Sequence, residues 1–364
     1  MKRDSRLRIL VRSPNWIGDQ VLAYPFFHTL RQRYPTAEIT AVCPAWVESI
    51  QFLDCVDRVV VAPRVLGTGA IAKLRSVETL ATELRKTGKW DLAFSLPRSF
   101  SSAWLLFRAR AQKRVGYSAD SRRFLLTDPL SWDEEKVLHR SSEYLRLLGL
   151  TDLELDRARH YFGVPPENDL DPGIPGRVSG FEPGQVWPNS KPLAPPDEKY
   201  WVLAPGSAAE SRRWPVARFA DLARRVHDAM GIRGLIVGGP KEASLAVQLT
   251  EDRSLQLRDY TGQGPVADLW QIFRQASFTV SNDSGLAHIA ALCGSPTQVV
   301  WGAGDPKRTS PLGPARVRIA FQPVECWPCE RNTCGLPGPK KMECLTGLSS
   351  ELIWTEVQSG LKPS

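Results

Sequence analysis

Val280-Ser-Asn-Asp-Ser-Gly-Leu-Ala-His-Ile-Ala-Ala-Leu292 carries the residue types that hold a phosphate, at the spacing of a strand, a tight turn and a helix start. The apolar run from Phe278 to Val280 stops at Ser281. Apolar positions then recur through Leu286, Ile289, Ala290 and Leu292 at helical spacing. Asn282 or Asp283 is placed to cap that helix, Ser284 lies at its first turn, and Gly285 lets a ligand approach the backbone. First-turn N–H groups and the positive end of the helix dipole suit an anion. His288 falls one turn in. Taken alone, the segment reads equally as a capped helix with a buried histidine.

A second junction of the same kind begins at Tyr200. A short apolar strand breaks at Pro205-Gly206, passes Ser207, and presents Arg212 and Arg213 before Pro215 opens a helix with Phe219, Leu222, Ala223 and Val226. Guanidinium groups offer planar, bidentate donors to phosphate oxygens. A solvated basic loop has the same composition. Two such junctions in one half of the chain, one cationic and one cap-rich, point to a nucleotide-diphosphate site. Gly239-Pro-Lys-Glu242 reads as a turn after a strand and falls short of a dinucleotide fingerprint.

The third junction places a carboxylate. Leu7–Val11 reads as a strand, Arg12–Gln20 as a loop, and Val21–Tyr34 as a helix with Pro25 near its start. Asp19 then lies at the carboxyl end of the first strand, the edge where open α/β sheets bind ligands. A plain helix cap is the competing reading of Asp19.

These junctions need strands and helices in alternation, and the chain supplies them. Strand-like runs at Leu7–Val11, Glu38–Val42, Arg58–Val61 and Leu92–Ser95 are separated by helical patterns near Val21–Tyr34, Trp46–Leu53 and Ile71–Lys86. The second half repeats the scheme. Its strands are expected at Trp201–Leu203, Gly234–Val237, Phe278–Val280 and Gln298–Trp301. Its helices are expected near Val216–Met230, Ala243–Leu249, Val266–Gln275 and Asp283–Leu292. The pattern predicts an α/β protein of two doubly wound, Rossmann-like domains facing a cleft. Pro165–Pro196 holds nine prolines and four glycines and is expected to exclude a regular helix or a central strand. The divisions expected are therefore 1–164, a linker or insertion over 165–199, 200–345, and a C-terminal helix and tail over 346–364. His139 and Tyr144 open an amphipathic helix expected to pack between the domains.

A chain of 364 residues with 42% hydrophobic and 24% charged content is ordinary for a globular protein of two domains. No apolar run approaches the roughly 18–20 residues that span a bilayer. Leu7–Val11 is too short for a signal-peptide core, so the chain reads as cytoplasmic. The net charge of +8 favours anionic partners, or simple solubility. Arg108, Arg110, Lys113, Arg114, Arg122 and Arg123 crowd into 16 residues, but no nucleic-acid module accompanies them. Cys43, Cys55 and Cys293 stand in apolar contexts and read as core. Cys326, Cys329, Cys334 and Cys344 form C-x2-C-x4-C-x9-C in a Pro- and Gly-rich stretch. Four thiols there are candidate ligands of a structural zinc or an iron–sulfur cluster, with unmetallated thiols the equal alternative and a disulfide the least favoured.

Asn15-Trp-Ile-Gly-Asp-Gln20, Pro205-Gly-Ser…Arg-Arg-Trp-Pro215 and Asn282-Asp-Ser-Gly-Leu-Ala-His288 resemble, in order and separation, the motifs of the ADP-heptose:lipopolysaccharide heptosyltransferases, the second-acting branch most. The likeness runs from about Arg8 to Trp354 and is poor between about Pro165 and Lys199. It implies a GT-B type inverting glycosyltransferase, with an acceptor-binding N-terminal domain and an ADP-sugar-binding C-terminal domain. Heptose would pass from ADP-L-glycero-D-manno-heptose to the lipopolysaccharide inner core, an anionic lipid A acceptor at the inner leaflet, by a cytoplasmic enzyme peripheral to that membrane. By the same resemblance Asp19 is the base. Arg212 and Ser207 hold the diphosphate, with Arg213 beside them. Asp283 takes heptose hydroxyls, Ser284 and Gly285 meet the phosphates, His288 supports the loop, and Glu242 takes the ribose. The family carries Lys where this chain has Arg212, which keeps the charge and changes the geometry. No cofactor is called for in the chemistry. The alternatives are heptose transfer to a protein or another glycan, a non-catalytic basic nucleic-acid-binding protein, and an oxidoreductase, for which the glycine fingerprint is missing.

Overall fold

In the computed structural model, which describes residues 6–63, 69–132, 138–162 and 181–361, the apolar runs of the first half become parallel strands. They are β1 (Arg8–Arg12), β2 (Glu38–Pro44), β3 (Arg58–Ala62), β4 (Leu92–Ser95), β5 (Lys113–Tyr117) and β6 (Asp128–Leu130), in the order β3-β2-β1-β4-β5-β6. The second half gives β7 (Tyr200–Ala204), β8 (Arg233–Ile236), β9 (Leu257–Asp259), β10 (Thr279–Asn282), β11 (Thr297–Trp301) and β12 (Val317–Phe321), ordered β12-β11-β10-β7-β8-β9. Read from the other edge, this is the first order again. Central strands such as β4, β7, β10 and β11 are buried along their whole length, as helices on both faces of a parallel sheet require. In each sheet the strand order reverses beside the first strand, β1 or β7, and ligands bind outside the carboxyl ends at such a point.

The chain divides into two units, Met1–Ala158 with Gly184–Asn189, and Arg159–Pro183 with Ser190–Ser364. The first packs Leu10, Val42, Leu84, Trp90 and Leu106 into one core. The second buries Trp201, Trp214, Phe219, Phe278 and Ile353, and each fully buried large apolar side chain contributes about 1.5–3 kcal/mol. The C-terminal helix Ser350–Leu361 lies on helix Val216–Met230 and belongs to the second core. The expected boundary at 164/165 lies outside the described residues, as does the 362–364 tail. The described part of the expected linker is not featureless. Phe181, Val186 and Trp187 are buried, and Pro183–Val186 makes one helical turn, with proline in the first position where its missing N–H costs nothing. The Leu53 N–H donates to the Val186 carbonyl at 3.1 Å, tying that turn to the first unit.

Other departures have local causes. The helix expected over Val21–Tyr34 is two, Ile17–Leu22 and Tyr24–Arg33, separated at Ala23. Pro25 cannot donate to the Val21 carbonyl, and its ring would clash there. Trp46–Leu53 is a 3₁₀ segment, Ala45–Ile50. Four strands escape pattern reading, β5, β6, β9 and β12. Three of these are short or charged strands at sheet edges. Helix Arg140–Arg146 packs on Ile17–Leu22 and Tyr24–Arg33 inside the first unit.

The basic run around Arg114 is partly engaged from within. Arg108 pairs with Glu78 at 2.8 Å and Lys113 with Asp128 at 3.2 Å. Arg114 donates to the carbonyls of Leu125 and Ala111. Arg122 is fully buried, donating to Tyr117 O, Ser95 Oγ, Pro97 O, Ser99 O and Ser102 Oγ. Burial pulls its pKa down to about 10, so it stays a cation near neutral pH. Four of the six side chains, Arg108, Lys113, Arg114 and Arg122, are therefore engaged within the fold. Arg122→Met should lower stability by about 3–5 kcal/mol, the scale for removing one member of a buried charged network. Urea unfolding checks this through a lower midpoint at unchanged slope, and a loss below about 1 kcal/mol would mean that water replaces the guanidinium.

Candidate active site

The loops after β7 and β10 meet at the switch point of the second sheet, because the two strands pair directly, Leu203 opposite Val280 and Ala204 opposite Ser281. Asn282 ends β10 and is fully buried. Its Nδ2 donates to the Pro205 carbonyl at 2.7 Å, and its Oδ1 accepts the Trp214 N–H at 3.0 Å. One amide thus holds both ends of the Pro205–Trp214 loop. Asn282 is therefore not a helix cap, and neither is Asp283. The helix is Gly285–Leu292, its N-cap is Ser284, and no side chain caps it. Pro215 likewise stands at the N-cap of Val216–Met230, one position before the first turn.

Within this frame the second-unit residues expected at the donor come together. Ser207 Oγ donates to the Asp283 carbonyl at 2.9 Å. Arg212 Nη1 lies 3.2 Å from Asp283 Oδ2, the carboxylate side chain being 4% exposed and the guanidinium 31%. Arg212 Nε is buried with no hydrogen-bond partner among the described residues. Arg213 is turned the other way, its Nε on the Ser207 carbonyl at 2.7 Å, so it braces the loop backbone. A Cβ on Gly206 would stand 2.4 Å from Glu242 Cγ, and glycine there lets the Glu242 side chain lie against the loop. Ser284 Oγ is 3.2 Å from Ser281 Oγ, Gly285 opens the helix, and His288 is buried one turn further on. An uncapped helix start, a half-exposed arginine and a buried carboxylate form a cradle suited to a diphosphate joined to a polyol.

Asp19 sits in the first turn of helix Ile17–Leu22 beyond β1, with Trp16 as the N-cap, so its carboxylate is not the cap. Its Oδ1 lies 3.5 Å from Arg140 Nε, and Arg140 Nη1 lies 2.5 Å from Glu143 Oε2. Burial opposes the charge on Arg140. The neighbouring Tyr144, Glu143 and Asp19 outweigh it and hold the guanidinium pKa above its ordinary value. Burial, then the Asp19 charge, pushes the Tyr144 phenol well up. Sequence reading missed Arg140 and Glu143 and did not place Tyr144 beside Asp19, because all three reach it from a helix far along the chain with no motif of their own.

The four C-terminal cysteines are free, Cys326 exposed and the others half-buried. Cys344 is pushed up by burial and then by Cys329, Cys326 and Cys334, so the four share a neighbourhood. Yet among the described residues no three His, Cys, Asp or Glu side chains are arranged to hold a metal ion. Cys43, Cys55 and Cys293 are buried, and burial raises each thiol pKa.

Two Rossmann-type sheets, with Arg212 and Asp283 at one switch point and Asp19 beyond β1 at the other, give the architecture of a GT-B type glycosyltransferase. Residues 77–339 match the model of glycosyltransferase family 9 (heptosyltransferase), and the chain belongs to that family. It is 26% identical over 325 residues to lipopolysaccharide heptosyltransferase 2 of Escherichia coli, covering 84% of this chain and 86% of the relative. It is 28% identical over 324 residues to lipooligosaccharide heptosyltransferase 2 of Haemophilus ducreyi, covering 86% and 88%. The solved structure of ADP-heptose lps heptosyltransferase II from E. coli matches with a TM-score of 0.72 at 22% identity over 98% of both chains, a likeness of fold.

Asn282→Ala strands a buried carbonyl and a buried N–H, which should cost about 1–3 kcal/mol of stability. Thermal unfolding and calorimetry with ADP check it together. A variant as stable as the wild type and with its ADP affinity would show that the loop holds its shape without the amide.

Proposed function

We propose that this glycosyltransferase moves L-glycero-D-manno-heptose from its ADP-linked form to a hydroxyl of the lipopolysaccharide inner core, with inversion. The observation that carries the donor half is the Arg212–Asp283 pair at the β7/β10 switch point. A sugar nucleotide can exchange this pair for two new ones, diphosphate with Arg212 and heptose hydroxyls with Asp283. The Ser284 and Gly285 N–H groups and the helix dipole then face the leaving diphosphate. Ser207 and His288 hold the loops, Glu242 takes the ribose hydroxyls, and Arg213 supports the backbone.

Asp19 is assigned the base. The acceptor hydroxyl gives its proton to the carboxylate as its oxygen bonds the anomeric carbon, and the bond from that carbon to the diphosphate breaks, releasing ADP. Arg140, 3.5 Å from Oδ1, orients the carboxylate, leaving Oδ2 for the proton. Trp16 and Trp46, each 63% exposed, adjoin Asn15 near the same helix start and offer aromatic faces to acceptor sugar rings. The acceptor is an anionic lipid A-core glycolipid at the inner leaflet. Among the described residues no helix is long and apolar enough to cross a membrane, which accords with peripheral contact from the cytoplasmic side. The reaction as assigned uses no cofactor.

Asp19→Asn should cut kcat by roughly 10²–10⁴, the usual worth of a general base, with ADP affinity unchanged. Transfer assays on heptose-deficient lipopolysaccharide, beside calorimetry with ADP, decide it, and near-wild-type turnover removes Asp19 from the mechanism. Arg212→Ala should weaken ADP binding and slow transfer, Arg212→Lys should be mild, and Arg213→Ala should act mainly on thermal stability. The opposite order for Arg212 and Arg213 would overturn the donor assignment. Labelling of a protein or another glycan in place of the core acceptor would redirect the acceptor reading.

A further inference from the structure

The cysteine-rich segment is bonded to the back of the donor loop. Ser211, 2% exposed, immediately precedes Arg212. Its N–H donates to the Asn332 carbonyl at 3.1 Å, its Oγ to the Arg331 carbonyl, and its own carbonyl accepts the Ala303 N–H at 3.3 Å. All its polar atoms are therefore engaged, two of them by residues between Cys329 and Cys334. The segment is pinned in turn. Glu330 N–H donates to the Ala303 carbonyl at 2.9 Å, and Trp327 Nε1 donates to the Gly302 carbonyl at 2.9 Å while its ring stacks on Phe321. A Cβ on Gly302 would come within 2.3 Å of the Ser211 carbonyl oxygen, so the two backbones touch. Lys341 pairs with Glu210 at 3.7 Å. Cys334 closes the segment on itself, its Sγ accepting the Met342 N–H at 3.3 Å, and Leu345 anchors the far end in the core.

We propose that this segment is a clamp on the donor loop, with Ser211 the positioning residue through which it holds Arg212 for the diphosphate. The inference rests on the reading of Arg212 and Asp283 as donor ligands. The role it gives the cysteine-rich stretch does not depend on a metal. Cys334, a free half-buried thiol within the segment, is also a labelling handle on the clamp.

Coupling between two sites is reciprocal. If the clamp sets the affinity for the diphosphate, then bound ADP must tighten the clamp. Two measurements test this on the full-length protein. Ser211→Ala should raise the Kd for ADP and the donor KM about tenfold with kcat within about twofold, a split that general destabilisation would not produce. In the wild type, saturating ADP should slow alkylation of Cys334 by iodoacetamide severalfold, read by peptide mass spectrometry. In that step the sulfur–carbon bond forms, iodide leaves and the thiol proton passes to solvent. Exposed Cys326 serves as the internal reference and should react at an unchanged rate. Absence of either effect in a wild type that binds ADP overturns the clamp alone. A wild type that does not bind ADP removes the donor reading and the clamp with it.

Discussion

The buried amide of Asn282 is the constraint on which the donor half depends. β7 and β10 are neighbours in space and far apart in sequence, and their loops leave the sheet in the same direction. Nothing in strand pairing fixes how those loops lean on each other. The amide does, because a side chain with both a donor and an acceptor can satisfy Pro205 and Trp214 at once. With that geometry set, Arg212 and Asp283 are close enough to neutralise each other. An ion pair of this kind adds little net stability, since desolvating the carboxylate offsets the attraction. Its value lies in exchange. The cation is half-exposed and the anion buried, so a ligand with both a phosphate and hydroxyls can take over each partner without leaving a bare charge.

The two sheets share one topology and use its switch point differently. In the first unit the cation near the ends of β4 and β5 is Arg122, which is consumed by protein carbonyls and serine hydroxyls and is out of reach of any ligand. In the second unit Arg212, on the loop after β7, is left half-exposed. The first unit instead turns a carboxylate outward, and Arg140 and Glu143 stand behind it. In the proposed reading, one fold thus presents a base in one copy and an anion site in the other. The difference resides in which charge is satisfied internally.

The alternation of strands and helices was legible because buried parallel strands are continuous apolar runs and their helices are amphipathic. β1, β4, β7 and helix Val216–Met230 fall where the pattern places them. The edge strands β6, β9 and β12 did not stand out, since a strand flanked on one side alone tolerates charge. The site was legible wherever chemistry and turn coincide in a few consecutive residues, as in Ser207, Arg212 and Asp283. Roles that depend on distant partners were not. Asn282 looked like a cap because Asn commonly caps helices, and only its approach to Pro205 and Trp214 makes it a tie between loops. Arg212 and Arg213 were indistinguishable as letters. They separate once the backbone directs one guanidinium to a carboxylate and the other to carbonyls.

The cysteines illustrate the same limit from the other side. Their spacing and density invited a metal, because few other devices hold a Pro- and Gly-rich segment. Other contacts also hold it, with Trp327 stacked and hydrogen-bonded, Leu345 in the core, and backbone carbonyls that find their donors on the β7 loop. A segment with little apolar content cannot order itself, and it borrows order from the element it touches. That exchange runs in both directions. The loop proposed to hold the diphosphate has only the 3₁₀ turn Glu210–Arg212 for regular structure, and Ser211 would be a buried residue with stranded polar groups if the segment withdrew. Two stretches, neither able to order itself, are each made rigid by the hydrogen bonds of the other, and Arg212 stands one residue from the join.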